Sequence, residues 1–380
     1  MHPETLAVHA GQKSDPVTGA IAAPIYLSTT FERSADGTFP SGYEYSRDDN
    51  PNRRNLETCL AALEGGAEAI TFASGMAAIT AVIESLPDDL PKRLVLPDDI
   101  YFGVRSLLNE TDVGRRFEWE VVDMTDLQAV RAACAKPTGL VWIETPSNPL
   151  VKIVDIAAIA QLAREGGAVS AVDNTWATPL LTRPFEFGAD LVVHSLTKYI
   201  GGHSDVMIGA VVSRESGPQN LALRAIQKHK GSVPSPLDCW LALRGIQSLA
   251  PRMQVHCGNA MEVARFLSQH PAVSVVHYPG LPTHPGFAVA SKQMKSFGGM
   301  LSFEVAGARK EAMAVAGALR LIARATSLGG THSLIEHRAS VEGPQTKAPE
   351  GLLRMSIGLE NALDLISDLD QALGQISNRR

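Results

Sequence analysis

The chain has 380 residues, 45% of them hydrophobic and 19% charged, with a formal net charge of -6. That length allows two domains and a large core, while the mild acidity and the lack of any basic stripe argue against nucleic acid or an anionic membrane as partner. No apolar run reaches membrane-spanning length. The four cysteines (Cys59, Cys134, Cys239, Cys257) stand far apart, which argues against a zinc site or a disulfide framework.

Residues 1–54 read as an irregular N-terminal arm, rich in Gly, Pro, Ser and Tyr, with an aromatic-basic patch at Tyr43-Glu-Tyr45-Ser-Arg47. Its first residues, Met1-His-Pro-Glu-Thr, lack the charged-then-apolar layout of a secretory leader, so a reducing cytoplasm is the expected setting. A helix is expected over Leu56 to Leu63, stopped by Gly65-Gly66. Strands are then expected at Ala69–Phe72, Arg93–Leu96, Trp119–Val122, Leu140–Ile143, Val169–Val172, Leu191–Val193 and Ile208–Val212, with helices between them such as Asp155–Glu165. Short apolar strands alternating with amphipathic helices predict an α/β fold with a mainly parallel sheet over residues 55–245. A long helical stretch around Leu237–Leu267 leads into a smaller region, residues 246–380. It has strands at Val273–His277 and Met300–Val305 and a closing helix over Asn361–Ile376.

Parallel sheets bind ligands at the carboxyl ends of their strands. Three polar residues fall there: Glu144, Asp173 and Lys198. In Asp190-Leu-Val-Val-His-Ser-Leu-Thr-Lys198-Tyr-Ile-Gly-Gly an apolar strand runs into Ser195 and Thr197, then a lysine. A desolvated amine loses its proton more easily and becomes a nucleophile, the usual route to a Schiff base. With hydroxyls beside it to hold a phosphate, Lys198 suits pyridoxal phosphate; a surface lysine after a core strand remains the alternative. Ser74-Gly75-Met76 follows a strand and opens a helix, so its backbone N–H groups can meet an anion, although many helices start with Ser-Gly. Asp173 can pair with a protonated pyridine nitrogen or cap a turn. Tyr101 can stack on a planar ring or fill a core. Asn148 lies in a rigid loop with two prolines, placed to bond a ring hydroxyl or to serve the turn. Arg354, in the apolar run Leu353 to Leu359, needs an anion, either a substrate carboxylate or an internal partner. His194, His203, His332 and His337 show no metal-ligand spacing and read as polar or packing residues.

The set Tyr45-Ser-Arg47, Ser74-Gly75-Met76, Tyr101, Asn148, Asp173, Ser195-x-Thr197-Lys198-Tyr-x-Gly-Gly-His, Ser327-Leu-Gly-Gly and Arg354 resembles the Cys/Met-metabolism pyridoxal-phosphate enzymes. These include cystathionine γ-synthase, cystathionine β- and γ-lyases, methionine γ-lyase and O-acylhomoserine sulfhydrylases. The resemblance covers nearly the whole chain. It implies fold type I, the aspartate-aminotransferase-like architecture, with a large parallel-sheet cofactor domain and a smaller C-terminal α/β domain. It implies that Lys198 carries the cofactor as a Schiff base and then shuttles protons. Asp173 would hold the pyridine nitrogen, and Tyr101 would stack on the ring and help deprotonate the substrate amine. Ser74, Gly75, Met76, Ser195 and Thr197 would bind the phosphate. Ser327 and Arg354 would hold the substrate α-carboxylate, with Asn148 beside the ring. Tyr45 and Arg47 would reach the phosphate of a neighbouring subunit, so that two dimers with shared sites form a homotetramer.

The chain departs from the family's common pattern at three places. Thr326 stands where many γ-synthases and γ-lyases have Glu, His332-Ser333 replaces Glu-Ser, and Tyr101-Phe102-Gly103-Val104-Arg105 replaces Tyr-Gly-Gly-Thr. These fall on distal substrate contacts and leave the cofactor set whole. The expected activity is cleavage of the C–S bond of cystathionine or a related sulfur amino acid. The alternatives are γ-replacement, as in cystathionine γ-synthase or an O-acylhomoserine sulfhydrylase, and a non-catalytic scaffold that keeps the fold.

Overall fold

The computed structural model describes residues 1–342, 346 and 348–377. Strands β1 (Glu68–Phe72), β2 (Arg93–Pro97), β3 (Glu118–Val122), β4 (Leu140–Glu144), β5 (Val169–Asp173), β6 (Leu191–Ser195) and β7 (Gly209–Ser213) form one sheet in the order β1-β7-β6-β5-β4-β2-β3. The sheet is parallel from β6 to β3, and β7 runs antiparallel to both its neighbours. The strand expectations hold to within one or two residues at each end.

The β4 run Leu-Val-Trp-Ile-Glu is buried throughout, as a strand covered on both faces must be. Its side chains alternate between two cores. Leu140 and Trp142 pack with Ile79 and Val82 of the helix Gly75–Glu84, whereas Val141 and Ile143 pack with Ile156 and Ile159 of the helix Ile156–Glu165. The same period of two puts Glu144, Asp173 and Ser195 at the ends of β4, β5 and β6 on the face of the helix Gly75–Glu84. One face of one sheet edge thereby collects the polar groups.

Three helical regions differ from expectation, each for a local reason. The helix expected from Leu56 begins at Pro51, because Asn50 caps it by accepting a hydrogen bond from the Asn52 N–H at 2.9 Å and proline suits the first turn. It ends at Gly65, whose φ of 76° is left-handed. The arm is not wholly irregular: Pro3–His9 is a helix whose buried Ala7 joins the core of Leu56, Cys59 and Leu60. The stretch expected as one helix over 237–267 is two, Pro236–Gln247 and Leu249–Gln269. Buried Arg252 donates to the carbonyls of Gly245 and Tyr199 at 2.7 and 2.6 Å, closing the first helix with a cation at its carbonyl end.

The second sheet contains β8 (Val273–His277), β9 (Met300–Val305), β10 (Ala323–Arg324), β11 (Leu334–His337) and β12 (Leu352–Ser356) in the order β10-β11-β12-β9-β8. Only the β10–β11 pair is parallel. The helices Leu249–Gln269, Arg309–Ala318 and Ala362–Ser377 bury Leu267, Val315 and Leu369 against Phe303 and Leu353 of this sheet. Met294, Met300 and Leu328 meanwhile join the core that holds Leu56 and Leu196, so the second sheet is packed onto the first. The Ser302 hydroxyl donates to the Pro149 carbonyl at 2.7 Å, tying β9 to the loop after β4.

Candidate active site

A cavity of about 360 Å³ lies where the carboxyl ends of β4, β5 and β6 meet the start of the helix Gly75–Glu84, residues 326–328 and β12. Of the residues singled out in the sequence, Ser74, Gly75, Met76, Tyr101, Asn148, Asp173, Ser195, Thr197, Lys198, Ser327 and Arg354 all line it. Tyr45 and Arg47 do not. Both are exposed on the arm, with the Arg47 guanidinium 5.0 Å from the Tyr45 ring centroid.

The Lys198 Nζ donates to the Ser327 hydroxyl at 2.8 Å. Burial, then the positive charge of Arg354, lowers its ammonium from 10.5 to about 8, against the pull of Glu336. An amine that gives up its proton more easily than an ordinary lysine is what a Schiff base requires.

Asp173 and Glu144 face each other across the β4–β5 register. Burial raises both carboxyls, and Asp173 raises Glu144 further, well above the carboxylate range. Glu144 accepts from the Tyr101 backbone N–H at 2.9 Å, which fixes that tyrosine at the start of the helix Phe102–Glu110. Asp173 accepts from the Thr175 N–H at 3.0 Å, and the Thr175 hydroxyl accepts from the Ser195 N–H at 2.9 Å. Behind them His194 Nε2 pairs with Glu64 at 2.6 Å, fully buried, and His194 helps to hold the Asp173 carboxyl down.

Ser74 caps its helix through the Ala77 N–H at 3.1 Å, leaving the first-turn N–H groups of Gly75 and Met76 without partners in the helix. A Cβ on Gly75 would come within 2.9 Å of the Ser195 Cβ, so only glycine keeps this notch open. The Thr197 hydroxyl accepts from the Ile208 N–H at 3.1 Å. At Gly103 a Cβ would meet the Tyr101 ring at 2.5 Å, so the departure at Phe102-Gly103 still spares room for the aromatic.

Arg354 resolves its two readings in both directions. Its Nη2 pairs with Glu336 at 2.5 Å, directly opposite in the β11–β12 register, and its Nη1 donates to Asn148 Oδ1 at 2.9 Å. Its Nε has no partner among the described residues. Internal pairing therefore aims the guanidinium without exhausting it. Asn148 is spent on this arginine through its side-chain oxygen.

The donor set fits pyridoxal phosphate: an amine of lowered affinity for protons, a buried carboxylate for the ring nitrogen, an aromatic beside them, and hydroxyls with a helix start around a notch. Sequence reading missed Glu336, Arg338 and Thr175. A glutamate in the apolar run Leu334-Ile335-Glu336 was the available signal for the first. Of the departures, Thr326 and Phe102 line the cavity, while His332 is exposed and Arg105 pairs with Glu342 at 3.7 Å outside the lining.

A sequence profile described as Cys/Met metabolism PLP-dependent enzyme matches residues 4–374. The chain is 46% identical to cystathionine gamma-synthase of Mycobacterium tuberculosis over 98% of this chain and 97% of that protein. It is 42% identical to cystathionine beta-lyase of Coxiella burnetii over 98% of each. The crystal structure of cystathionine gamma synthase from Xanthomonas oryzae pv. oryzae in complex with cystathionine superposes with a TM-score of 0.95 at 41% identity, covering 100% of this chain and 99% of that one.

Proposed function

The chain belongs to the Cys/Met metabolism pyridoxal-phosphate-dependent enzymes, and from that premise we propose that it cleaves the C–S bond of cystathionine or a related sulfur amino acid. Pyridoxal phosphate supplies an electron sink for the pair left when a proton leaves the substrate Cα. The observation that carries the proposal is the placement of Lys198, whose ammonium is lowered to about 8, in one cavity with Asp173 and Arg354. A general base works best when its affinity for protons lies near the working pH. Lys198 takes the Cα proton, and the same amine can return it where the sulfur departs. Arg354, aimed by Glu336 and Asn148, receives the substrate α-carboxylate. Asp173 would hold the ring nitrogen, and Ser74, Gly75, Met76, Ser195 and Thr197 the phosphate. Convergence of these groups in one cavity counts against a scaffold role, which would need none of them.

A second reading is γ-replacement on an activated homoserine, favoured by the 46% identical relative named as a cystathionine gamma-synthase. Incubating the holoenzyme with L-cystathionine separates the two. Pyruvate with homocysteine shows β-cleavage, and oxobutyrate with cysteine shows γ-cleavage. Neither product, with cystathionine formed from O-succinylhomoserine and cysteine, makes it the synthase.

We also infer a shared active site in a homotetramer of paired dimers, supported by the exposed Tyr45 and Arg47 outside their own cavity. We further infer a division into an arm (1–54), a cofactor domain (55–245) and a C-terminal domain (246–380), supported by one sheet within 68–213 and a second within 273–356. No helix of the described residues is long and apolar enough to cross a membrane. The four cysteines are buried and unpaired, which supports the cytoplasm as its place of work.

A further inference from the structure

Val193 and Ser195 of β6 line the cavity, while His194 between them points to the other face of the sheet and is fully buried. Its Nε2 pairs with Glu64 at 2.6 Å, and the Glu64 side chain is fully buried as well. The same Glu64 oxygen accepts from the Asn174 side chain at 2.8 Å. Asn174, also fully buried, directly follows Asp173 in the chain, and its backbone N–H donates to the Val193 carbonyl at 3.0 Å. Glu64, Asn174 and His194 all lie outside the cavity lining.

Glu64 occupies an unfavourable position for a carboxylate. It is the last residue of the helix Pro51–Glu64, where it meets the negative end of the helix dipole, and full burial without a counter-charge would add to that cost. Packing alone would be served by an apolar side chain, as at Leu60 and Leu63 of the same helix. What the pair adjoins is Asp173. Burial raises the Asp173 carboxyl, and Glu144 faces it across the β4–β5 register. Facing carboxylates drive each other toward the neutral form, and a neutral acid lacks the charge that a protonated pyridine nitrogen needs. Positive charge on His194 acts in the opposite sense. The surroundings hold few other charges. Glu144 and Tyr101 stand on the cavity side of Asp173, the Thr175 N–H donates to it at 3.0 Å, and uncharged Ala210 of β7 lies opposite His194. The helix Gly75–Glu84 brings uncharged Gly75 and Met76. Arg183 lies against the Gly65 cap and pairs with Glu186 at 2.9 Å.

We propose that Glu64 and His194 are positioning residues, a buried ion pair on the far face of the sheet whose imidazolium keeps Asp173 a carboxylate for the cofactor ring nitrogen. This rests on the reading of Asp173 as the partner of that nitrogen and deepens it. Glu64 holds the charge of His194 in place and, through Asn174, the stretch of chain on which Asp173 stands. The field of His194 reaches Asp173 across the strand, where little water screens it.

The test is the protonation of the ring nitrogen, read by solid-state nitrogen-15 NMR of holoenzyme loaded with ring-labelled pyridoxal phosphate, from about pH 6 to about pH 9. Wild type should hold the proton throughout. Asp173→Asn should lose it, which checks the reading of Asp173 itself. His194→Gln keeps a side-chain N–H for Glu64 but no charge. It should release the ring proton within that window, a loss of at least about ten-fold in proton affinity, and its dissociation constant for the cofactor should rise by about the same factor. Glu64→Gln should act in the same direction, because a buried imidazolium without its carboxylate gives up its charge. Variants that lose stability while the ring nitrogen stays protonated would make the pair a packing element and overturn the proposal, with the reading of Asp173 intact. Opposite shifts in the two variants would show two separate charges and overturn it as well. A ring nitrogen that is neutral in wild type, or still protonated in Asp173→Asn, removes Asp173 from that nitrogen and the proposal with it. Should His194→Gln fail to fold, Glu64→Gln, which keeps an acceptor for Asn174 and His194, still decides.

Discussion

Ser327 holds the amine of Lys198 from a backbone conformation that side chains seldom adopt. Its φ is 89°, its hydroxyl accepts from Lys198 Nζ at 2.8 Å, and its carbonyl accepts from Arg354 Nη2 at 3.1 Å. A non-glycine residue at positive φ carries strain. Here one strained residue links the Lys198 amine to the guanidinium proposed to receive substrate, and backbone strain of this kind clusters at working sites.

The lysine should titrate visibly. With its ammonium lowered from 10.5 to about 8, the rate at which apoprotein captures pyridoxal phosphate should rise with pH and reach its midpoint near 8. The sign for stability follows the same shift. A depressed lysine favours the fold fully above 10.5 and loses that contribution as pH falls toward 8. A capture midpoint at the ordinary lysine value would show that neither burial nor Arg354 acts on the amine.

Glycine at position 75 keeps open the notch proposed for the cofactor phosphate. Gly75→Ala places a Cβ within 2.9 Å of the Ser195 Cβ, and relieving it must push the serine away. Overpacking of this kind costs about 1–3 kcal/mol, so the dissociation constant for pyridoxal phosphate should rise about ten-fold or more. Excess cofactor should restore most of the activity. Loss that no cofactor concentration recovers would place the role of Gly75 elsewhere.

Cofactor removal should expose the strain of two facing carboxylates. Asp173 and Glu144 are both raised by burial. A raised carboxyl contributes stability below its unfolded value and loses it as pH rises through the folded value. Apoprotein should therefore lose stability above the ordinary carboxylate range, whereas a protonated ring nitrogen beside Asp173 offsets the charge. The gap in Tm between holo- and apoprotein should widen from about pH 5 to about pH 7.5, a window in which the lowered Lys198 stays charged. A constant gap would detach Asp173 from the cofactor.

Mixing subunits tests the shared site. Lys198→Ala should abolish turnover and leave cofactor weakly bound. Arg47→Ala should weaken cofactor in the neighbouring site. If Arg47 works across the interface, each mixed dimer forms one site with both native residues, and an equal, fully exchanged mixture regains about a quarter of wild-type activity, the share set by random pairing. No recovery after demonstrated exchange would return Arg47 to its own subunit.

By itself the sequence determined the elements and the edge on which the chemistry gathers. Apolar runs such as Leu140–Ile143 and Val169–Val172 state their own strands, because a strand covered on both faces is apolar at nearly every position, Ser170 being the one polar residue of these two runs. The polar residue that ends each run, Glu144, Asp173 and Ser195, then falls at the carboxyl edge, and Gly75 opens the helix beside it. All of these signals lie within a few residues of chain. The helix break at Ser248 had a local signal in Pro251, which cannot sit inside one continuous helix and suits a first turn, whereas the contact that closes the first helix, Arg252 reaching back to the Gly245 carbonyl, was not legible.

Only the tertiary structure decided how the charges pair. Glu336 meets Arg354 because β11 and β12 run antiparallel in one register, and Arg354 meets Asn148 across 206 residues of chain. Glu64 lies beneath His194 across 130. No local pattern encodes a pairing at that separation. The electrostatic state of a buried group depends on which charges the fold brings within a few ångströms and on how much water it removes. The sequence therefore names Lys198, Asp173 and Arg354, while packing sets the affinity of the lysine for protons and aims the arginine.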